Sequence, residues 1–153
     1  MPEKERKFIR LHSIQLMKVN VIELYIKSHH APDESIGIEA DIPFLGGHTD
    51  LDDESRQISV LVKVEIGINE NSKEKEGAEE FPFSLRVAIE GEFKVGEEFP
   101  DDQINDWARR NAPIILMPYL REHVYALTAR SGFKPLILPL VVVPTLVPET
   151  QKE

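Results

Sequence analysis

The stretch Ile58-Ser-Val-Leu-Val-Lys-Val-Glu-Ile-Gly-Ile68 carries a β-branched apolar residue at every even position. That period of two belongs to a β-strand with one buried face. Downstream, Phe81, Phe83, Leu85, Val87, Ile89, Gly91, Phe93 and Val95 repeat the pattern at odd positions, opposite Ser84, Arg86, Glu90, Glu92 and Lys94. The two strands are expected to pair antiparallel across a solvated loop, Asn69 to Glu80, rich in Asn, Lys, Glu and Gly. Gly91 is expected to let the second strand bend or bulge. Upstream, Ile36, Ile38, Ala40, Ile42 and Phe44 alternate with Gly37, Glu39 and Asp41. This predicts a shorter strand that Pro43 demotes to an edge and that ends at Gly46-Gly47. Residues 8 to 26 are strand-like but change phase twice: Ile14 and Leu16, then Met17, Val19 and Val21, then Ile22, Leu24 and Ile26. Bulges are the cheapest way to keep such a strand on one face.

After Phe99-Pro100 the period changes. Asp101 and Asp102 stand where an N-cap and first-turn acids favour a helix, and Ile104, Trp107 and Ala108 follow at helical spacing. Pro113 either interrupts this helix or starts the next. From Ile114 to Arg130, the residues Leu116, Leu120, Val124 and Leu127 form one apolar stripe, with Arg121, Glu122 and Arg130 polar and Gly132 as terminator. Pro118, early in the helix, costs less there than in mid-helix. Strands followed by helices is the α+β order. The expectation is therefore α+β, a four-stranded antiparallel sheet followed by a long helix, with helices on one face. A length of 153 residues suits one domain over 1–153, with charged or polar tails at 1–7 and 148–153.

Composition narrows the chemistry. Cysteine is absent, which removes disulfides, thiol catalysis and cysteine-bearing metal sites and fits a reducing compartment. With 18 basic and 27 acidic residues the net charge is −9, so phosphate backbones repel the chain and nucleic acid is not an expected partner. The N-terminus, Met-Pro-Glu-Lys-Glu-Arg-Lys, lacks the apolar run of a secretory signal. The longest apolar stretch, Leu136 to Val147, is about 12 residues against the roughly 20 of a membrane span. A soluble, cytoplasmic protein without membrane insertion is expected. His12, His29, His30, His48 and His123 form no ligand spacing, and the acids Asp50, Asp52, Asp53 and Glu54 beside His48 lack the glycine and glutamate of a calcium loop. No nucleophile elbow, phosphate loop or dinucleotide loop occurs. The residues predict neither an enzyme nor a cofactor.

What remains is an apolar tail, Phe133-Lys-Pro-Leu-Ile-Leu-Pro-Leu-Val-Val-Val-Pro-Thr-Leu-Val147, whose Pro135, Pro139 and Pro144 rule out an uninterrupted helix or central strand. It either packs as ordinary core or lines an apolar groove or subunit contact. The run Asn111-Ala-Pro-Ile-Ile-Leu-Met-Pro118-Tyr119-Leu-Arg121-Glu122, then Leu127-Thr128, Gly132-Phe133 and Pro135-Leu-Ile-Leu-Pro139, resembles the second half of SecB, the bacterial protein-export chaperone family. The Pro-Tyr-x-Arg-Glu element is its most specific part.

The resemblance implies an ATP-independent holdase that forms homotetramers, as dimers of dimers, and holds unfolded or precursor polypeptides in apolar grooves to keep them competent for export. Phe133, Leu136, Leu138, Leu140, Val142, Val143, Leu146 and Val147 are expected to supply groove surface, and Tyr119, His123 and Val124 the subunit contact. Leu116, Leu120 and Leu127 are expected to be core. The sequence also departs from the family. Carboxylates that meet the SecA translocase ATPase fall near Lys18 and Arg86, which weakens the expectation of that partner. The Pro-Val-Asn-Phe element becomes Pro139-Leu-Val-Val142, and Pro144 and Pro148 oppose the usual final helix. These departures resemble SecB-like chaperones dedicated to an antitoxin of a toxin–antitoxin pair. Two readings outside this class are a small-molecule-binding α+β domain, with His48, Asp50 or His123 converging in a pocket, and a purely structural oligomerisation module.

Overall fold

The computed structural model describes residues 10–32, 42–68 and 81–140. Four strands, β1 (Ile14–Ser28), β2 (Phe44–His48), β3 (Gln57–Ile66) and β4 (Phe83–Val95), form one antiparallel sheet in the order β1-β4-β3-β2. A 3-10 turn (Asp101–Gln103) leads into α1 (Ile104–Arg110) and α2 (Ala112–Arg130). The fold is α+β, a four-stranded antiparallel sheet followed by a long helix, as the alternation and its later change of period predict.

The register explains why the sheet has one apolar face. Ile58, Val60, Val62, Val64 and Ile66 of β3 pair with Phe93, Gly91, Ile89, Val87 and Leu85 of β4, so the even set and the odd set share a side. All of these but Gly91 belong to one buried cluster, with Leu116, Leu120 and Val124 of α2 and Trp107 of α1. β1 joins the same face only because it is bulged. Its pairing to β4 shifts once between Leu16 and Lys18 and again between Val21 and Glu23. Met17 and Ile22 are the extra residues, and each bulge swaps the phase so that Ile14, Leu16, Val19, Val21, Leu24 and Ile26 all lie opposite core positions of β4.

The helices cross the sheet along β4. Trp107 meets the Phe93 ring edge-on at 5.0 Å, Leu116 sits over Gly91, and Phe133, just beyond α2, meets Phe83 at 4.8 Å. Three elements depart from expectation. Gly91 pairs in register with Val19 and Val60 and makes no bulge. A Cβ there would lie 2.7 Å from Leu116 Cδ2, so the glycine serves close approach of the helix. β2 does not end at Gly46-Gly47 but runs through both, because they pair with Val62 and Leu61 of β3. Most of the strand expected from Ile36 lies outside the described residues, as does the Asn69–Glu80 loop. Asp101 and Asp102 make no side-chain cap. They occupy the 3-10 turn, where Asp101 instead receives Arg56 Nη1 at 3.1 Å. Of the two roles open to it, Pro113 takes the start of the second helix, the N-terminal place where no N–H partner is lost.

Helix α2 ends on a fully formed glycine cap. Gly132 has φ +84°, its N–H donates to the Ala129 carbonyl, and the Phe133 N–H donates to the Thr128 carbonyl. This double closure satisfies carbonyls that the helix end leaves open and turns the chain back over its own last turns.

Candidate functional site

Beyond that cap the chain runs as an extended strap, residues 134–140, against α2. Its side chains alternate from Leu136 to Leu138. Leu138 is 1% exposed and Leu136 is half-buried against the core, whereas Ile137 is 70% and Leu140 85% exposed. The backbone is tied to the helix by side chains. The Leu136 N–H donates to Thr128 Oγ1 at 2.9 Å, and Arg121 Nη2 reaches the Pro139 carbonyl at 3.5 Å. Between strap and helix lies a shallow, mainly apolar pocket of about 420 Å³, lined by Pro118, Arg121, Glu122, Tyr125 and Ile137. An apolar floor flanked by one cation and one anion suits an extended peptide that offers an apolar side chain, with its polar backbone left towards solvent.

The expected groove residues divide accordingly. Phe133 and Leu138 are enclosed by this chain itself and act as anchors, Leu136 lies between, and Leu140 is open. Val142, Val143, Leu146 and Val147 lie outside the described residues. Of the expected subunit contacts, Tyr119 is exposed, His123 half-buried, and Val124 fully enclosed in the core. The expected core stripe holds at Leu116 and Leu120, while Leu127 is only half-buried. Thr128, next to it, is fully buried where the returning chain lies against the last turns of α2 and the Leu136 N–H reaches its hydroxyl. Ile115, Tyr119 and Tyr125 are large and exposed on α2, so the helix is apolar on both sides. The free edge of β1 likewise exposes Met17, Val21, Ile22 and Leu24. Ile115, Tyr125, Ile137 and the β1 edge were missed in the sequence because each reads as part of an element's buried side. Their signal was an excess of apolar positions over one stripe.

The polar candidates have structural partners. His12 Nδ1 accepts the Ile14 N–H at 2.9 Å, His29 Nε2 lies 2.6 Å from Ser84 Oγ, and His48 Nδ1 lies 2.8 Å from the Thr49 carbonyl. Asp52 accepts the Glu54 N–H at 3.0 Å, and that bond, with further ones from Ser55, holds its carboxyl below the usual carboxylate range. Among the described residues no three His, Asp or Glu side chains converge to hold a metal ion, and no helix is long and apolar enough to cross a membrane. His48, Asp50 and His123 do not line the pocket. On the sheet face away from the helices, Lys18 pairs with Glu92, and Arg86 lies between Tyr25 and Glu65. Arg86 Nε is 3.1 Å from Glu23 Oε1, and its guanidinium stands 4.9 Å from the Tyr25 ring centroid.

Comparison with known proteins bears on this arrangement. The family model described as preprotein translocase subunit SecB matches residues 13–151. The chain belongs to the SecB family. SecB proteins are chaperones rather than enzymes. Among SecB relatives, the protein-export protein SecB of Nitrosomonas europaea is 28% identical over 126 residues, covering 79% of this chain and 72% of that protein. The uncharacterized protein MJ0357 of Methanocaldococcus jannaschii is 31% identical over 99 residues, covering 57% of this chain and 63% of the archaeal one. The SecB-like fold recurs in the Mycobacterium tuberculosis Rv1957 SecB-like chaperone, solved with a ChAD peptide from the Rv1956 HigA1 antitoxin. That structure has a TM-score of 0.69 and 20% identity, over 87% of this chain and 94% of the other.

Proposed function

We propose that this protein is an ATP-independent holdase of the cytoplasm that binds extended, non-native polypeptides along the strap and the α2 pocket. The single observation that carries the reading is the alternation in the strap. Leu136 and Leu138 are spent on the core while Ile137 between them faces outward, next to a pocket floored by Pro118 and Tyr125, and Leu140 further along is exposed as well. Apolar groups held open in this way gain about 25 cal/mol for each Å² covered by a client, before ordering costs are subtracted. Affinity for one site is modest, and several sites on one assembly add by avidity. A net charge of −9 keeps such surfaces from meeting one another and favours basic clients.

Assembly follows from the other uncovered surfaces. A helix with Ile115 and Tyr119 outward, beside a β1 edge with Met17 and Ile22 outward, has the composition of a subunit interface, and a homotetramer built as a dimer of dimers covers both while leaving the Tyr125 pocket to the client. The test is aggregation of a heat-denatured enzyme followed by light scattering without nucleotide. Suppression at near-stoichiometric chaperone is expected, and unchanged aggregation at that ratio refutes the reading. A monomer in light scattering at micromolar concentration refutes the assembly.

The client class divides in two. Delivery of precursors for export is one reading. A dedicated antitoxin-like client is the other, and Arg86 and Lys18 on the outer sheet face favour it, since they put cations where docking to the translocase ATPase calls for carboxylates. Polypeptides captured from the native cell separate the two. Many diverse precursors support export, and one dominant client supports dedication.

A further inference from the structure

Thr128 is fully buried and polar, alone in that respect among the described residues. Its Oγ1 lies 2.9 Å from the Val124 carbonyl and 3.1 Å from that of Tyr125, and 2.9 Å from the Leu136 nitrogen. A hydroxyl carries one proton and two acceptor positions, so it donates back into its own helix and accepts the strap's amide. The first bond is ordinary for a helical threonine. The second is not, because it ties a chain segment eight residues away that has no backbone partner among the described residues at that amide.

The glycine cap fixes the chain's direction only as far as Phe133. From there an extended chain can settle in either of two phases, and a slip of one residue exchanges inward and outward side chains. With Leu136 held to Thr128, Leu136 and Leu138 face the core and Ile137 between them faces solvent. A slip by one would bury Ile137 and expose Leu138. In one direction the slip would offer Thr128 the nitrogen of Pro135, which has no proton to give. The second tie, from Arg121 to the Pro139 carbonyl, is long and does not discriminate between phases by itself.

We propose that Thr128 is the positioning residue of the client surface: its hydroxyl sets the phase of the strap, and so decides which apolar side chains a client meets. This rests on the holdase reading for its consequence, though not for its geometry. The experiment compares Thr128→Val, which keeps the shape and loses the hydroxyl, with Thr128→Ser, which keeps the hydroxyl, after helical circular dichroism has established that both fold. Two readouts are taken on the full chain: amide exchange at Leu136, and binding of reduced, carbamidomethylated ribonuclease A as a permanently unfolded, basic probe. In the valine variant Leu136 is expected to exchange roughly tenfold faster and probe binding to weaken roughly fivefold, with the serine variant within about twofold of the parent on both. Unchanged Leu136 exchange in the valine variant overturns the proposal. So does a serine variant that behaves like valine, since packing of the methyl group would then be the cause. A parent protein that does not bind the probe refutes the holdase reading alone, and the exchange comparison then decides the role of Thr128 by itself.

Discussion

Leu120 and Leu138 lose the same three carbons on substitution by alanine and are equally hidden, at 0% and 1% exposure, yet they are expected to fail differently. Leu120 lies mid-way along α2 and cannot leave the core unless the helix leaves the sheet. Leu120→Ala therefore costs the transfer term plus a cavity, about 3 kcal/mol within a usual range of about 2–5. For a chain of this size that lowers the melting temperature by about 6–12 °C. Leu138 belongs to a strap held by its own side chain, by half of Leu136 and by one hydrogen bond to Thr128. Those attachments are worth about 4–5 kcal/mol, and ordering the backbone from Leu136 to Leu140, with Pro139 already fixed, costs a similar amount. Removing about 2.4 kcal/mol of apolar burial from Leu138 thus releases the strap instead of hollowing the core. The expected result is a melting temperature lowered less than half as far as in Leu120→Ala, with fast exchange confined to the strap amides. Calorimetry and hydrogen exchange at one fixed protein concentration measure both. Equal losses of melting temperature in the two variants, with β3 and β4 amides exposed alike, would refute the reasoning.

Three further outcomes follow from single sites. Gly67→Ala places a Cβ against the Phe83 carbonyl oxygen, well inside van der Waals contact, at φ +70°, so the conformational strain of about 1–2 kcal/mol is joined by a clash with backbone that cannot step aside. A lowered urea midpoint is expected, and an unchanged one contradicts the left-handed backbone at Gly67, directly after β3. Ile137→Asp with Leu140→Asp should leave stability within about 0.5 kcal/mol, because both side chains are already in water, while abolishing suppression of aggregation. Suppression that survives both charges removes the strap from the client surface. Asp52 should titrate below the ordinary 3.8, because amide and hydroxyl donors from Glu54 and Ser55 favour its charged form. Its contribution to the loop is present above that ordinary value and is lost as pH falls through the lower, folded one. A carboxyl NMR titration with its midpoint at or above 3.8 would contradict the loop geometry.

The sheet was legible because its signal is local: Ile58 to Ile66 and Phe83 to Val95 each write their buried face in strict alternation, and the two phase changes in β1 mark its two bulges. Gly91 was misread because a glycine opposite a helix looks, in sequence, like a glycine in a kink. What separates them is Leu116, distant in the chain. β2 passed through Gly46-Gly47 because pairing with β3 outweighed the poor strand propensity of glycine. In the site, hydrophobicity alone placed the tail but could not say which residues point inward. That choice turns on a hydrogen bond from Leu136 to Thr128, and Thr128 resembles any other helical threonine until the strap is laid beside it.

The doubled bulge of β1 also bears on how its gene can change length. Losing a codon inside a paired strand ordinarily turns every residue on one side of the loss inside out. Positions 17 and 22 escape that rule, because their flanking residues already face neighbours on β4, Phe93 with Glu92 and Ile89 with Ala88. Excising Met17 or Ile22 would straighten the ladder and leave its faces intact, whereas excising Tyr25, beyond both bulges, would turn the end of the strand over. The first strand therefore has two points at which its length is free to drift while its inward face is kept.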